Sequence, residues 1–210
     1  MGVGPLSGLK VIDISGAVAG PWVSSHLAEQ GADVILIEKV GVPDVMRITG
    51  ALVGDQSGSW VQMHRNKRGL DLDIRTDTGS GILKQLVSTA DVFIQNFRPG
   101  VAERLSIGYE DLKLINPELI YLSVSGFGPD GPYSGRPVYD PIIQAMSGMT
   151  EAQNGTYVKA VVADKTAAMT GVNAVLSALW ARSNGVGGQH VEVNLMDCML
   201  HWMWLEVFWN

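Results

Sequence analysis

The first 125 residues alternate short apolar runs, rich in β-branched residues, with segments of helical character. Strand-like runs lie at residues 9–14, 34–37, 92–94 and 119–124, and helical segments lie at residues 21–30 and 76–88. A helix between two strands lets the second strand join the sheet parallel to the first. The pattern therefore predicts an α/β fold, an open parallel sheet with a Rossmann-like, doubly wound topology.

Ligands of such sheets bind at the carboxyl ends of the strands. The loops that follow the predicted strands are residues 15–20, 38–43, 95–100 and 125–135. We expect the functional groups of the chain to lie in these four loops.

The second half begins with a loop. Residues 126–137 (GFGPDGPYSGRP) contain seven Gly or Pro in twelve positions, which breaks both helix and strand. The segment formally matches GxGxxG, but its prolines prevent the helix that a dinucleotide fingerprint must open, so we reject that motif. Helices are then predicted at 140–149, 165–182 and 195–208, with a turn at 184–188 and a strand at 190–194.

Charge and hydropathy exclude several classes of partner. The chain has 15 Lys and Arg against 21 Asp and Glu, a balance that argues against nucleic acid or an anionic membrane as the main partner. The longest uncharged stretch, 166–181, is too short and too polar to span a bilayer, and no basic leader precedes an apolar run. We expect a cytoplasmic protein in which Cys198, the only cysteine, is a small buried apolar residue.

Basic side chains cluster at two places that follow or precede predicted strands. Residues 64–68 (HRNKR) precede a short strand at 69–72 and are followed by Arg75, while Asn96, Phe97 and Arg98 follow another strand, with Arg104 a turn later. Arg and Lys suit phosphates, and an aromatic ring can stack on a purine. A solvated charged face is the alternative, but two clusters in an acidic chain favour a phosphate-bearing nucleotide ligand.

Asp164 lies just before a long apolar helix. From its spacing alone the favoured interpretation is a helix N-cap, whose carboxylate accepts hydrogen bonds from the first free N–H groups. The alternative is a nucleophilic carboxylate at a helix start. The four histidines are scattered and no GxSxG motif occurs, so metal and serine-triad chemistries are not expected.

Six stretches in one order resemble the class III CoA-transferase family, which includes formyl-CoA transferase, carnitine CoA-transferase and α-methylacyl-CoA racemase. They are LSGLKVIDIS…AGPW from residue 6, GADVILIEK from 31, NKRGLDLD from 66, ADVFIQNFRPGVAERLSIGY from 90, NPELIYLSVSGFGPDGPYSGRPVYDPIIQAMSG from 116, and the segment that starts at Ala163-Asp164. The match runs from about residue 6 to about residue 200.

The resemblance implies covalent catalysis by Asp164 without a metal. In the family an Asp at this position attacks the thioester of an acyl-CoA, the released CoA thiolate re-attacks to give an aspartyl-CoA thioester, and an acceptor carboxylic acid collects the CoA. Beyond coenzyme A, which arrives as the acyl-CoA substrate, no cofactor is implied. Matching positions that would bind it are Val18, Ala19, Lys39, Leu72, Arg75, Asn96, Phe97, Arg98, Arg104, Arg136 and Tyr139.

Tyr139 separates two reactions within the family. The racemase branch is expected to carry His before Asp140, because a His there exchanges the α-proton, and tyrosine is a poor base at neutral pH. A CoA-transferase is therefore favoured over an acyl-CoA racemase or epimerase. A non-catalytic CoA-binding fragment is the third hypothesis.

Family members are longer, so the resemblance implies that the chain is an N-terminal part. Residues 1–200 would form the CoA-binding α/β domain and residues 201–210 the start of a connection to an incomplete second part. The family's interlocked homodimers imply a second copy as partner. We expect the aromatic end, Trp202, Met203, Trp204, Phe208 and Trp209, to be core or interface.

Overall fold

The computed structural model describes residues 4–209, with side chains described through residue 207. The strands are β1 (Lys10–Asp13), β2 (Asp33–Glu38), β3 (Leu52–Val53), β4 (Gln56–Ser57), β5 (Lys67–Asp71), β6 (Val92–Gln95), β7 (Ile120–Ser125) and β8 (Gln189–Asn194). The helices are α1 (Ala19–Glu29), α2 (Gly58–Met63), α3 (Asp77–Val87), α4 (Val101–Arg104), α5 (Tyr109–Lys113), α6 (Asp140–Met146), α7 (Met149–Ala152), α8 (Val162–Ser183), α9 (Leu195–Trp202) and α10 (Trp204–Trp209).

Six strands form one parallel sheet in the order β5-β2-β1-β6-β7-β8. Counted along the chain without the small β3–β4 hairpin, this order is 3-2-1-4-5-6, that of doubly wound dinucleotide-binding sheets. The prediction of an open parallel α/β sheet is confirmed. The order reverses between β1 and β6, so the loops after these two strands diverge and leave a crevice.

Helices cover both faces of the sheet. Alternate residues of the strands point to opposite sides, so Val11 packs with α1 and α8 while its neighbour Ile12 packs with α3 and the short helices after β6. Helices α1 and α8 approach closely: a Cβ on Gly171 of α8 would lie 3.0 Å from Val23 of α1. Cys198 lies within the first of these cores, as expected.

The secondary structure departs from the predicted helices at three places. The helix predicted at 140–149 is broken at Gly148, whose φ of +84° ends α6 and begins α7. Helix α8 begins three residues before the predicted start, and the closing run is divided at Met203 into α9 and α10. The β3–β4 hairpin and α2 were not predicted, because their exposed, mixed sequence lacks a clear apolar period.

The aromatic end is divided between core and surface. Met203 is buried in the main core, whereas the side chains of Trp202 and Trp204 are mostly exposed. The side chains of Phe208 and Trp209 lie outside the described residues. Among residues 4–209, no helix has the length and apolar character needed to cross a bilayer.

Candidate active site

A cleft of about 440 Å³ opens at the point where the strand order reverses. Its walls come from the loop after β1, the loop after β6, the glycine-rich loop after β7 and the start of α8. The first two loops are joined by Asn96, whose side-chain oxygen accepts the N–H of Gly16 and whose NH₂ donates to the Gly16 carbonyl. The crevice predicted from the topology is therefore present and has a fixed edge.

A hydrogen bond and close packing constrain the loop after β1. The carboxylate of Asp44 accepts the N–H of Ala17 at 2.8 Å, and Ala17 has a φ of +59°, a conformation that is unfavourable for a residue with a Cβ. A Cβ on Gly20 would lie 2.5 Å from the Ser15 hydroxyl, so only glycine fits there. Helix α1 begins at once after this loop, and its positive end faces the cleft.

A second, smaller pocket of about 180 Å³ adjoins the cleft. Phe97 lines both spaces, and the second is otherwise walled by residues after β2 and β5 together with apolar side chains. Both spaces lie along the carboxyl edge of the sheet, and Phe97 lines both of them.

The structure brings eleven of the twelve predicted site residues to these two spaces. The cleft is lined by Val18, Ala19, Asn96, Phe97, Arg98, Arg136, Tyr139 and Asp164, and the smaller pocket by Lys39, Leu72, Arg75 and Phe97. Arg104 lines neither space. It lies on α4, where its backbone N–H bonds to the Gly100 carbonyl at the end of the loop after β6.

The predicted cations differ in whether a carboxylate already holds them. Arg75 is paired with Asp73 through two side-chain hydrogen bonds of 2.8 and 2.6 Å, which lower the pKa of Asp73 to about 2. Lys39, Arg98 and Arg104 have no carboxylate partner within ion-pair distance among residues 4–209. The charges of these three side chains are therefore not neutralised by a carboxylate of the described residues.

The basic run 64–68 does not belong to the site, contrary to the sequence-based expectation. Arg65 pairs with Glu29 and Arg68 with Asp33, while Lys67 is buried against Asp13. The run lies at the start of β5, the opposite end of the strand from the ligand edge. Arg65, Lys67 and Arg68 are therefore already paired with carboxylates of neighbouring elements.

Lys67 belongs to a buried polar cluster beneath α1. Its ammonium donates to the Pro21 carbonyl at 2.8 Å and lies 3.4 Å from Asp13, and burial lowers the pKa of Lys67. Asp13 also accepts hydrogen bonds from the hydroxyls of Ser15 and Ser24. These contacts give Asp13 a structural role. Asp91 likewise accepts the Lys10 N–H and pairs with Arg182.

Asp164 is not the N-cap of its helix, so the interpretation favoured by its spacing is wrong. It is the third residue of α8, after Val161 at the cap position, and its half-buried side chain lines the cleft. No described residue donates a hydrogen bond to its carboxylate. Burial, and then the negative charge of Asp140, raise the pKa of Asp164 to about 6. At neutral pH it is still mostly an anion, and therefore a competent nucleophile.

The cap is supplied by Asp140, a residue whose role the sequence interpretation missed. Its buried carboxylate accepts the N–H groups of Ala163 and Asp164 at 2.6 and 3.2 Å. One signal could have indicated such a partner: the helix starts with Val161, Val162 and Ala163, which offer no side-chain acceptor of their own.

The fold is that of an α/β protein with a cleft at the reversal of a doubly wound sheet. The sequence profile of CoA-transferase family III matches residues 6–210, and the chain belongs to that family. It is 38% identical over 204 residues to an acetyl-CoA:oxalate CoA-transferase of Acetobacter aceti, covering 92% of this chain and 51% of that protein. It is 33% identical over 207 residues to a human succinyl-CoA:glutarate CoA-transferase, covering 94% and 47%.

Solved structures agree with this membership. A CaiB/BaiF family protein from Brucella suis has a TM-score of 0.92 and 36% sequence identity, covering 98% of this chain and 57% of its own. A hypothetical protein from Mycobacterium tuberculosis has a TM-score of 0.90 at 30% identity, covering 99% and 59%. The chain spans about half the length of the curated relatives it matches.

Proposed function

We propose that this chain is the CoA-binding and nucleophile-bearing part of a CoA-transferase that moves CoA from an acyl-CoA to a carboxylic acid. Family membership supports the transfer of CoA in general. The observation that carries the finer proposal is Asp164, whose carboxylate accepts no hydrogen bond from a described residue and lies in the wall of a cleft that Arg98 also lines.

The two spaces along the sheet edge suit the two ends of an acyl-CoA. The phosphates of its nucleotide would meet Lys39, Arg98 and Arg104, and the Phe97 ring offers a face on which a purine can stack. The pantetheine arm would then follow the cleft past Tyr139 toward Asp164. In this pose the nucleotide lies away from the reacting thioester, and its binding energy positions that group.

The proposed reaction begins with attack by an Asp164 oxygen on the thioester carbonyl carbon. A C–O bond forms, the C–S bond breaks, and CoA leaves as a thiolate, so Asp164 becomes a mixed anhydride. The thiolate then attacks the aspartyl carbonyl and the donor carboxylate leaves. The acceptor carboxylate attacks the resulting aspartyl-CoA thioester, which releases the CoA thiolate and forms a second mixed anhydride. The thiolate then attacks the acceptor's carbonyl carbon in that anhydride, which yields the new acyl-CoA and free Asp164.

The proposal is tested by trapping the adduct. The chain is incubated with succinyl-CoA or acetyl-CoA, treated with hydroxylamine, which converts an activated aspartyl group into a hydroxamate, and analysed by peptide mass spectrometry. We expect the modification on the peptide that contains Asp164 and its loss in Asp164→Asn. Asp197→Asn, at the start of α9, serves as the matched control and should retain the adduct.

Two other outcomes would replace the proposal. CoA binding without any adduct would support a non-catalytic CoA-binding fragment. Exchange of the α-proton for deuterium, with no acceptor acid present and no adduct, would support a racemase or epimerase. Tyr139 argues against the second of these, because the position holds no imidazole base.

A further inference from the structure

Helix α8 depends on another element for its first hydrogen bonds. Val161 at its cap position has no side-chain acceptor, and the Asp140 carboxylate at the start of α6 accepts the Ala163 and Asp164 N–H groups instead. Asp140 lies 23 and 24 positions before the two residues whose N–H groups it accepts. The backbone of Asp164 is thus held directly by a side chain from outside its own helix.

Asp140 is itself held in place. It is 3% exposed, and its second oxygen accepts Gln144 Nε2 at 2.5 Å. Gln144 also bonds to the segment that leads into α8: its oxygen accepts the Val158 N–H, and its nitrogen donates to the Ala160 carbonyl. One buried acid and one buried amide therefore join α6, the incoming loop and the first turn of α8.

The same bonds leave the side chain of Asp164 uncommitted. A carboxylate in the first turn of a helix ordinarily gains from the free N–H groups there, but Asp140 already occupies two of them. The two acids share one helix end, and their repulsion adds to the effect of burial.

The other charged groups near Asp164 do not compensate for this repulsion. Lys165, on the same helix, has its ammonium over the Trp22 ring of α1, 5.1 Å from the ring centroid. The remaining ionisable groups that line the cleft are Arg98, Arg136 and Tyr139. None of these four forms an ion pair or hydrogen bond with the Asp164 carboxylate among the described residues.

We propose that Asp140 is a positioning residue for Asp164: it caps helix α8 in place of a local residue and keeps the Asp164 carboxylate free of backbone donors and exposed to the cleft. The proposal rests on the proposed function only in taking Asp164 as the nucleophile. Asp140 itself is not assigned a bond to substrate.

Two variants separate the hydrogen bonds of Asp140 from its charge. Asp140→Ala removes both, whereas Asp140→Asn keeps one oxygen for the backbone N–H groups and loses the charge. In Asp140→Ala we expect hydrogen exchange at the amides of residues 163 and 164 to be about fivefold faster or more, the effect of losing a helix cap. In Asp140→Asn we expect these amides to stay closer to wild-type protection.

The ionisation of Asp164 is followed by NMR of the chain labelled with [¹³C]aspartate at the carboxyl carbon. The Asp164 resonance is identified by its absence in Asp164→Asn. Its titration midpoint should fall toward that of an ordinary aspartate in Asp140→Asn, because a like charge has gone. Asp130→Asn, an exposed acid in the loop after β7, is the charge control and should not move it.

The pH profile of adduct formation gives a third measure. In Asp140→Asn its midpoint should fall by the same amount as that of the Asp164 resonance, which a purely structural role would not produce. Unchanged titration in Asp140→Asn would overturn the proposal, as would unchanged exchange at residues 163 and 164 in a folded Asp140→Ala. If wild type forms no adduct, the proposed function fails, while the NMR and exchange results still decide the role of Asp140.

Discussion

Asn96 and Gly16 exchange two hydrogen bonds across the point at which the sheet reverses its strand order. The Gly16 N–H donates to Asn96 Oδ1 at 2.9 Å, and Asn96 Nδ2 donates to the Gly16 carbonyl at 2.7 Å. One side chain thereby satisfies both backbone groups of the residue that opens the cleft. The two loops that would bind CoA are joined by this contact.

We expect Asn96→Ala to lower the free energy of unfolding by about 2 kcal/mol, since two hydrogen bonds are lost. CoA binding should weaken as well, because the loop after β1 is no longer held against the loop after β6. Urea unfolding and calorimetric titration with CoA would measure the two effects. Asn173→Ala, on the exposed face of α8, should change stability by less than about 0.5 kcal/mol. Equal stability of the two variants would contradict the prediction.

Ionised Asp164 is expected to destabilise the folded chain at neutral pH. Its pKa is raised from 3.8 to about 6, so the folded state holds the proton over a range in which the unfolded state has released it. The contribution of Asp164 to the free energy of unfolding therefore falls as pH rises from about 4 to about 6 and stays lower above that range.

Asp164→Asn should remove this loss and raise the free energy of unfolding near neutral pH by up to about 3 kcal/mol. Urea unfolding at about pH 7.5 and about pH 3.5 tests the expectation, since the gain should disappear at the lower value. A variant that is less stable than wild type at both values would show that Asp164 stabilises the fold.

The buried pair of Lys67 and Asp13 is predicted to be a major determinant of stability. The two side chains are 1% and 0% exposed, and Lys67→Met leaves the Asp13 carboxylate buried without its cation. We expect the free energy of unfolding, measured in urea, to fall by about 3–5 kcal/mol. Arg68→Met, one residue further along β5, breaks an ion pair with Asp33 that is largely exposed and should cost less than about 1 kcal/mol. Similar losses in both variants would refute the distinction.

Asp73 is expected to compete with the ligand for Arg75. Its carboxylate occupies the positions on the guanidinium that a phosphate would take, at 2.8 and 2.6 Å. If Arg75 binds a CoA phosphate, Asp73→Asn should tighten CoA binding by up to about fivefold, since the competing ion pair is exposed and weak. Titration calorimetry gives the dissociation constants, with Asp55→Asn in the β3–β4 hairpin as a remote control. Weaker binding in Asp73→Asn would indicate that the pair itself holds Arg75 in place.

The local sequence pattern was sufficient to predict the strands of the sheet. It was not sufficient to predict which residues pair with the charged side chains. The strands β1, β2, β6 and β7 are predicted to within one residue at each end, because their apolar runs are buried on both faces. The hairpin at 52–57 and the short helices after β6 escaped prediction, since they are held by turns and side-chain contacts rather than by an apolar period. The sequence could not reveal that the cations at 64–68 are paired, because their partners Glu29, Asp33 and Asp13 are distant along the chain.

The sequence by itself determined the α/β class, the glycine-rich loop at 126–137, the family resemblance and eleven side chains that line the cleft and the smaller pocket. Tertiary structure alone decided that Asp140, and not Asp164, caps α8, and that Asp13 is the buried partner of Lys67. The physical reason lies in the range of the interactions. Hydrophobic period and backbone preference act over neighbouring residues, whereas a buried carboxylate takes its donors from whichever element packing brings beside it.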